Sequence, residues 1–190
     1  MKRIVIFASG SGTNAENIIK YFQKNNLAEV TLVLSNKIDA KVLDRAKFFS
    51  IPSESFNKSE LMNSDRIPAI LRKESPDLIV LAGFLLKFPE FILKAFPNKV
   101  INIHPALLPK YGGKGMYGML VHESVVKNKE PETGITIHYV NENYDEGSII
   151  FQKSFQLSEN DTAESVASRI HELEYEFFPK VIEEILKKDK

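Results

Sequence analysis

Two side chains capable of acid–base chemistry stand close together after a short apolar run. The segment Asn102-Ile103-His104-Pro105 follows Val100 and Ile101. Because side chains alternate along a strand, Asn102 and His104 are expected to share one face. A carboxamide beside an imidazole can polarise a carbonyl oxygen and move a proton. A histidine can equally pack or hydrogen-bond without catalysing anything, so the pair alone leaves both interpretations open.

A carboxylate later in the chain is the candidate third partner. Asp145 stands in the polar stretch 141–147, followed by Glu146 and Gly147. A carboxylate near a histidine raises the pKa of the ring and orients it. We therefore expect Asp145 to reach over the strand end and keep the pKa of His104 up. Asn102, His104 and Asp145 form the predicted catalytic set.

A glycine-rich turn lies between the first predicted strand and the first predicted helix. It reads Gly10-Ser11-Gly12-Thr13-Asn14-Ala15. Free N–H groups at a helix start, together with the helix dipole, favour an anion such as phosphate. The turn also matches the loose dinucleotide pattern G-x-G-x-x-A, but the second strand ends in Ser35-Asn36-Lys37 without the acidic residue that pattern needs. A mononucleotide-type phosphate cradle is favoured, with a plain tight turn as the alternative.

A further glycine, Gly83, stands directly after the third predicted strand. Gly83 leads into an apolar stretch that continues to Phe88. Glycine at a strand end lets a ligand or another backbone approach closely. The stretch could line a pocket for a flat heterocycle or pack as a hydrophobic loop on the core, and the residues favour neither.

The elements that must position these residues alternate along the chain. Strands are predicted over 4–8, 30–34, 78–82, 100–103, 133–140 and 149–157, and helices over 14–24, 41–49, 63–74, 89–96, 120–127 and 162–187. Alternating strands and helices imply a parallel sheet with right-handed crossovers. The last two strands alternate apolar and polar residues and are joined by a short turn, which indicates a hairpin. We expect one α/β domain over 1–190, an open, doubly wound, mostly parallel sheet with an antiparallel C-terminal hairpin.

Helix termini carry their own signals. Thr13 with Glu16 predicts a capping box for the first helix, and Asp161 with Glu164 predicts one for the last. Pro179, inside the last helix, is expected to kink or break it.

Composition excludes several classes of function. The chain has 25 Lys and Arg, 25 Asp and Glu, and no cysteine. The balance of charges gives no support for nucleic acid or an anionic membrane as partner. The absence of cysteine rules out disulfides and thiolate chemistry. No apolar run approaches the ~18 residues needed to cross a bilayer. His122, His138 and His171 show no metal-ligand spacing, and the G-x-S-x-G of a serine hydrolase is absent. We expect a cytoplasmic protein without a metal.

Five motifs in order make the chain similar to a known family. They are Gly10-Ser11-Gly12-Thr13-Asn14, Ser35-Asn36-Lys37, Leu81-Ala82-Gly83-Phe84, the run from Asn102 to Tyr111, and His138-Tyr139-Val140 followed by Asp145-Glu146-Gly147. From residue 1 to about 186 the chain closely resembles the folate-dependent phosphoribosylglycinamide formyltransferases. The resemblance implies a Rossmann-like formyltransferase fold. It also implies transfer of a formyl group from 10-formyltetrahydrofolate to the amine of 5-phosphoribosylglycinamide, in purine nucleotide biosynthesis.

The resemblance also implies roles for individual residues. Asn102 would contact the folate and stabilise an oxyanion, His104 would be general acid and proton shuttle, and Asp145 would keep the pKa of the histidine up and position a water. The ribonucleotide would contact Gly12, Thr13, Asn14 and Glu174, and the folate pocket wall would be Leu85, Leu86, Lys87 and Phe88. The implied partners are these small molecules, with a monomer or homodimer as the assembly.

The chain departs from the family pattern at two points on the folate side and in one loop. Leu86 stands where relatives often have arginine, the basic residue expected near Ser59 is missing, and 112–119 is longer and richer in glycine than usual. The rivals are another folate formyltransferase or a formyltetrahydrofolate hydrolase, both expected to carry a further domain. A dehydrogenase or nucleotide-binding module, and a non-catalytic paralogue, are rivals of other classes.

Overall fold

The computed structural model describes residues 1–188. The strands are β1 (Lys2–Ala8), β2 (Ala28–Ser35), β3 (Ser53–Ser55), β4 (Leu78–Leu81), β5 (Val100–His104), β6 (Glu132–Tyr139) and β7 (Ile149–Gln156). The helices are α1 (Thr13–Phe22), α2 (Lys41–Phe48), α3 (Lys58–Asn63), α4 (Arg66–Glu74), α5 (Glu90–Ala95), α6 (Met119–Lys127) and α7 (Ala163–Lys188).

The strands form one open sheet in the order β3-β2-β1-β4-β5-β6-β7. The pairs from β3 through β5 are parallel, and β5–β6 and β6–β7 are antiparallel. The predicted α/β fold with its C-terminal hairpin is confirmed. The chain leaves β1 toward β2 and returns to the other side of β1 as β4. The strand order therefore reverses between β1 and β4, where sheets of this kind bind ligands.

Both faces of the sheet are covered by helices, as the continuous apolar run of β1 requires. Ile4 and Ile6 point to a core shared with α1, α2 and α7, and Val5 and Phe7 point to a second core shared with α3, α4 and α5. All four side chains are fully buried. Because side chains alternate along β1, this one strand contributes buried residues to both cores.

Two short elements were absent from the sequence prediction. Strand β3 has three residues and α3 has six, with Asn57 and Glu60 forming a capping box at the start of α3. Both elements are too short for a periodic pattern, and β3 lies at the sheet edge, where it pairs with β2 alone.

Two predicted helix caps were wrong. The residue before α1 is Gly12, which makes no side-chain cap, and the Glu16 carboxylate instead bonds Lys20 and Arg45. The residue before α7 is Thr162, not Asp161, and its hydroxyl accepts from the Ser165 N–H.

Helix α7 continues through Pro179, so of the predicted kink or break the break is excluded. A proline at this position leaves the carbonyl four residues earlier without its helical donor. That carbonyl belongs to Tyr175, and it accepts a hydrogen bond of 2.8 Å from the Asn17 side chain on α1. The bond supplies a partner for the freed carbonyl and ties α7 to the helix that starts at the glycine-rich turn.

Candidate active site

A cavity of about 650 Å³ opens at the carboxyl edge of the sheet. The turns after β1, β4 and β5, the segment 113–119, Asp145, and the inner face of α7 line it. Ser9, at the end of β1, holds two of these turns together. Its hydroxyl donates to the Asn36 side chain at 2.6 Å and accepts from the Leu85 N–H at 2.9 Å. Sequence reasoning missed this buried serine.

The glycine-rich turn after β1 is shaped by a close approach of α2. Gly12 has φ 73°, in the left-handed region that favours glycine. A Cβ at this position would lie 2.5 Å from the Val42 Cβ and 2.7 Å from the Val42 Cα. Glycine is therefore required both by the backbone conformation and by the space.

The carbonyl oxygens of this turn are already bonded, while its amides are left for a ligand. The Arg45 Nε donates to the Ser11 carbonyl at 2.7 Å, and the Val42 N–H donates to the Gly10 carbonyl at 3.2 Å. Within residues 1–188, the N–H groups from 10 to 14 have no hydrogen-bond acceptor. Free amides at the start of a helix suit an anion.

Asn102 is oriented by a histidine on the neighbouring strand. In the β5–β6 register Asn102 is paired with His138, and Asn102 Nδ2 lies 3.1 Å from His138 Nε2. His138 Nδ1 lies 2.8 Å from the Tyr139 carbonyl, which only accepts, so Nδ1 carries a proton. In the neutral ring Nε2 is then the acceptor, and Asn102 donates to it. One N–H of the Asn102 amide stays available to the cavity.

His104 lies between a carbonyl and a carboxylate. Its Nε2 is 2.7 Å from the Tyr111 carbonyl, and its Nδ1 is 3.6 Å from Asp145 Oδ2. Asp145 Oδ1 is also 3.7 Å from His138 Nε2. The structure therefore brings together the three predicted catalytic residues and adds His138 as the link between Asn102 and Asp145. The strand register was the signal that could have found it.

Asp145 raises the pKa of His104, as expected from the sequence, but the net shift of that pKa is in the opposite direction. Burial lowers the pKa of His104, and the opposing effect of Asp145 is smaller, so the ring titrates below the usual range. Burial alone would raise the pKa of Asp145. His138, His104 and the Gly113 N–H together hold that pKa below its usual value instead. The resting pair is therefore a neutral imidazole beside a carboxylate.

Glu174 lines the cavity from α7, where it meets the glycine-rich turn. Only 6% of Glu174 is exposed, and its Oε2 accepts from Asn14 Nδ2 at 2.8 Å. His171 Nδ1 lies 3.1 Å from the same oxygen, and this hydrogen bond raises the pKa of His171. The predicted contacts Gly12, Thr13, Asn14 and Glu174 thus line one end of one cavity.

The predicted folate wall is divided by the structure. Leu85 lines the cavity, and 41% of its surface is exposed. Leu86 is half-buried against the second core, Lys87 is exposed, and neither lines the cavity. Phe88 is 3% exposed and packs edge-on against Phe7, with ring centroids 5.1 Å apart. The Phe88 side chain therefore belongs to the core beneath the site.

The segment 112–118 connects the catalytic residues to α6. The Gly113 N–H donates to Asp145 Oδ2 at 2.9 Å, and Gly113, Gly115 and Gly118 all have positive φ. Asp145 itself has φ 56°, a conformation that aspartate tolerates better than most residues. The segment holds the Asp145 carboxylate in place. Helix α6 begins directly after the segment, beside the cavity.

Within residues 1–188, no cluster of His, Cys, Asp and Glu side chains is placed to hold a metal ion. Nor does any helix in that range have the length and apolar character to span a membrane.

Comparison with known proteins identifies the family. Residues 2–182 match the family model described as formyl transferase. The phosphoribosylglycinamide formyltransferase of Bacillus subtilis (strain 168) is 38% identical over 98% of this chain and 95% of its own length. The chain belongs to the phosphoribosylglycinamide formyltransferase family. Another member, the chloroplastic enzyme of Arabidopsis thaliana, is 36% identical over 95% of this chain, which spans 64% of that longer protein.

Solved structures of the phosphoribosylglycinamide formyltransferase family have the same fold. That of Bacillus halodurans is 34% identical with a TM-score of 0.88, covering 100% of this chain and 97% of its own. That of Anaplasma phagocytophilum is also 34% identical, with a TM-score of 0.89, covering 98% of this chain and 88% of its own.

Proposed function

We propose that this chain transfers a formyl group from 10-formyltetrahydrofolate to the amine of 5-phosphoribosylglycinamide. Membership of the family supports the reaction class. The observation that carries the proposal is that one cavity is lined both by free amides suited to a phosphate and by the Asn102–His104–Asp145 set. A ribonucleotide held by its phosphate would present its amine to that set.

Asn102 would stabilise the negative oxygen that forms when the amine attacks the formyl carbon. Its amide keeps one N–H after donating to His138, and that N–H is fixed in direction before substrate arrives. A fixed donor aimed at an oxyanion is typically worth ~10²–10³ in rate.

His104 would move the proton. The attacking nitrogen becomes positively charged, and the neutral His104 Nδ1 would accept one of its protons. The same proton then passes to N10 of the folate as the bond from the formyl carbon to N10 breaks. The transient imidazolium is stabilised by the Tyr111 carbonyl at Nε2 and by Asp145 at Nδ1. Such proton transfer contributes ~10²–10⁴ in rate.

The folate ring would enter beside Leu85, which lines the cavity and is 41% exposed. Leu86, Lys87 and Phe88 do not line the cavity, so of the predicted folate wall only Leu85 supports this placement. The cytoplasmic location, the single domain and the monomer or homodimer stay predictions.

The test is a formyl-transfer assay with the ribonucleotide present or omitted. Turnover that requires both substrates supports the proposal, and release of formate without the ribonucleotide indicates a hydrolase instead. His104→Ala is expected to lower kcat by ~10²–10⁴ because the proton path is lost. An unchanged circular-dichroism spectrum should accompany the loss.

A matched pair of carboxylate variants controls for a general effect of charge. Asp145→Asn removes the carboxylate beside His104, whereas Asp44→Asn removes an exposed carboxylate on α2, outside the cavity lining. We expect a large loss of kcat in the first variant and near-normal kcat in the second. Near-normal turnover in Asp145→Asn or His104→Ala would contradict the assigned roles.

A further inference from the structure

Of the three histidines that line the cavity, one has no role in the proposed reaction. His122 lies on α6, is 3% exposed, and lines the cavity. It shares the inward face of the helix with the buried residues Val121 and Val125. A polar ring on an otherwise apolar buried face needs a physical reason.

The His122 ring has an unpaired buried atom. Its Nδ1 is buried and has no hydrogen-bond partner in the protein. Among residues 1–188, three buried side-chain atoms share this condition, and two of them, His122 Nδ1 and Asn14 Oδ1, belong to residues that line this cavity. An unpaired buried polar atom destabilises a protein by ~1–3 kcal/mol unless it gains a partner. Two such atoms at one cavity indicate that a polar ligand supplies the partner.

His122 has charged neighbours both beside the glycine-rich turn and in the catalytic set. His171 and Glu174 are the neighbours beside the turn, and His104 is the neighbour in the catalytic set. Burial lowers the pKa of His122, His171 lowers it further, and Glu174 opposes them. The ring is therefore neutral near neutral pH, with one nitrogen able to donate and the other able to accept.

We propose that His122 is a substrate-binding residue whose Nδ1 hydrogen-bonds a hydroxyl or amide group of the bound ribonucleotide, between its phosphate and its amine. This inference rests on the proposed function, because it takes the ribonucleotide as the occupant of the cavity. The Asn14 Oδ1 accepts a second hydrogen bond from the same part of the ligand. Segment 112–118 has a further part in this scheme, since it ends at the start of α6 and thereby sets where His122 enters the cavity.

His122→Leu separates binding from structure because the two roles predict opposite results. Leucine places an apolar side chain of similar bulk on the buried face and removes the unpaired atom. The free protein should melt at the same temperature as the wild type or slightly higher, while KM for the ribonucleotide rises ~10-fold because its polar group is left unpaired. KM for the folate and kcat at saturation should change far less.

His122→Asn is the matched control. Its amide group occupies the place of Nδ1, so KM for the ribonucleotide should return to within about threefold of the wild-type value. Calorimetric binding of the ribonucleotide alone should follow the same order as KM. A lower melting temperature in His122→Leu with unchanged ribonucleotide KM would overturn the inference and leave His122 as a structural residue.

Failure of the proposed function gives a different result. In that case the wild-type protein neither binds the ribonucleotide in the calorimeter nor uses it in the assay, and the inference falls with it. A wild-type enzyme that turns over normally, beside a His122→Leu variant with normal ribonucleotide KM, rejects the inference alone.

Discussion

Substituting alanine at Gly12 and at Gly83 tests whether the glycine-rich turn is shaped by contact with α2. The two glycines have nearly the same backbone conformation, with φ 73° and 72°. At Gly83 a Cβ would meet nothing within 4 Å, whereas at Gly12 it would lie 2.5 Å from the Val42 Cβ. Both alanine variants therefore have the cost of a left-handed backbone conformation. Only Gly12→Ala also has the cost of a steric clash with Val42.

The expected loss of stability follows from these two terms. A non-glycine residue in the left-handed region costs about 1–2 kcal/mol, and both variants should lose this amount of unfolding free energy. Forcing an extra carbon into a packed core adds about 1–3 kcal/mol, and only Gly12→Ala should lose it. Gly12→Ala is thus expected to be destabilised by ~2–5 kcal/mol and Gly83→Ala by ~1–2 kcal/mol.

Urea unfolding followed by circular dichroism measures the difference. The slope of the unfolding free energy against urea should be the same in both variants, so the midpoint reports stability directly. Equal midpoints would refute the reasoning, because they would mean that Val42 moves aside without cost. A larger loss in Gly83→Ala would refute it more strongly.

Two further predictions concern ionisation in the cavity. Because the pKa of His104 lies below its usual range and its neutral form accepts the proton, the acid limb that His104 gives to the pH profile of kcat should lie below ~6.5, where an ordinary histidine titrates. Asp145→Asn should move this acid limb to still lower pH, since the carboxylate raises the His104 pKa, and a limb that moves upward would contradict the assignment. Glu174→Gln should lower the pKa of His171, measured by nuclear magnetic resonance titration, because the hydrogen bond from His171 to Glu174 is the main cause that raises it. The same variant should raise KM for the ribonucleotide ~10-fold through loss of a charged hydrogen-bonding group, and an unchanged KM would remove Glu174 from the binding site.

Local sequence patterns predicted much of the fold and part of the candidate active site. The buried run of β1, the glycine-rich turn after it and the alternation of β6 and β7 each predict one element, because side-chain period and backbone preference act over a few residues. The placement of Asn102 and His104 on one face follows from the same rule. The short β3 and α3 escaped prediction because a few residues carry no measurable period.

The sequence by itself determined which chemical groups are present and which strand or turn carries each of them. Only the tertiary structure decided that His138 orients Asn102, that Asn14 meets Glu174 across 160 residues of chain, and that the Phe88 side chain packs in the core rather than on the cavity wall. It also reversed the expected pKa of His104, because the burial that lowers this pKa depends on every element packed around the ring, whereas the pairing with Asp145 could be guessed from residue types alone. Burial and strand register arise from contacts between distant parts of the chain, and no local pattern contains them.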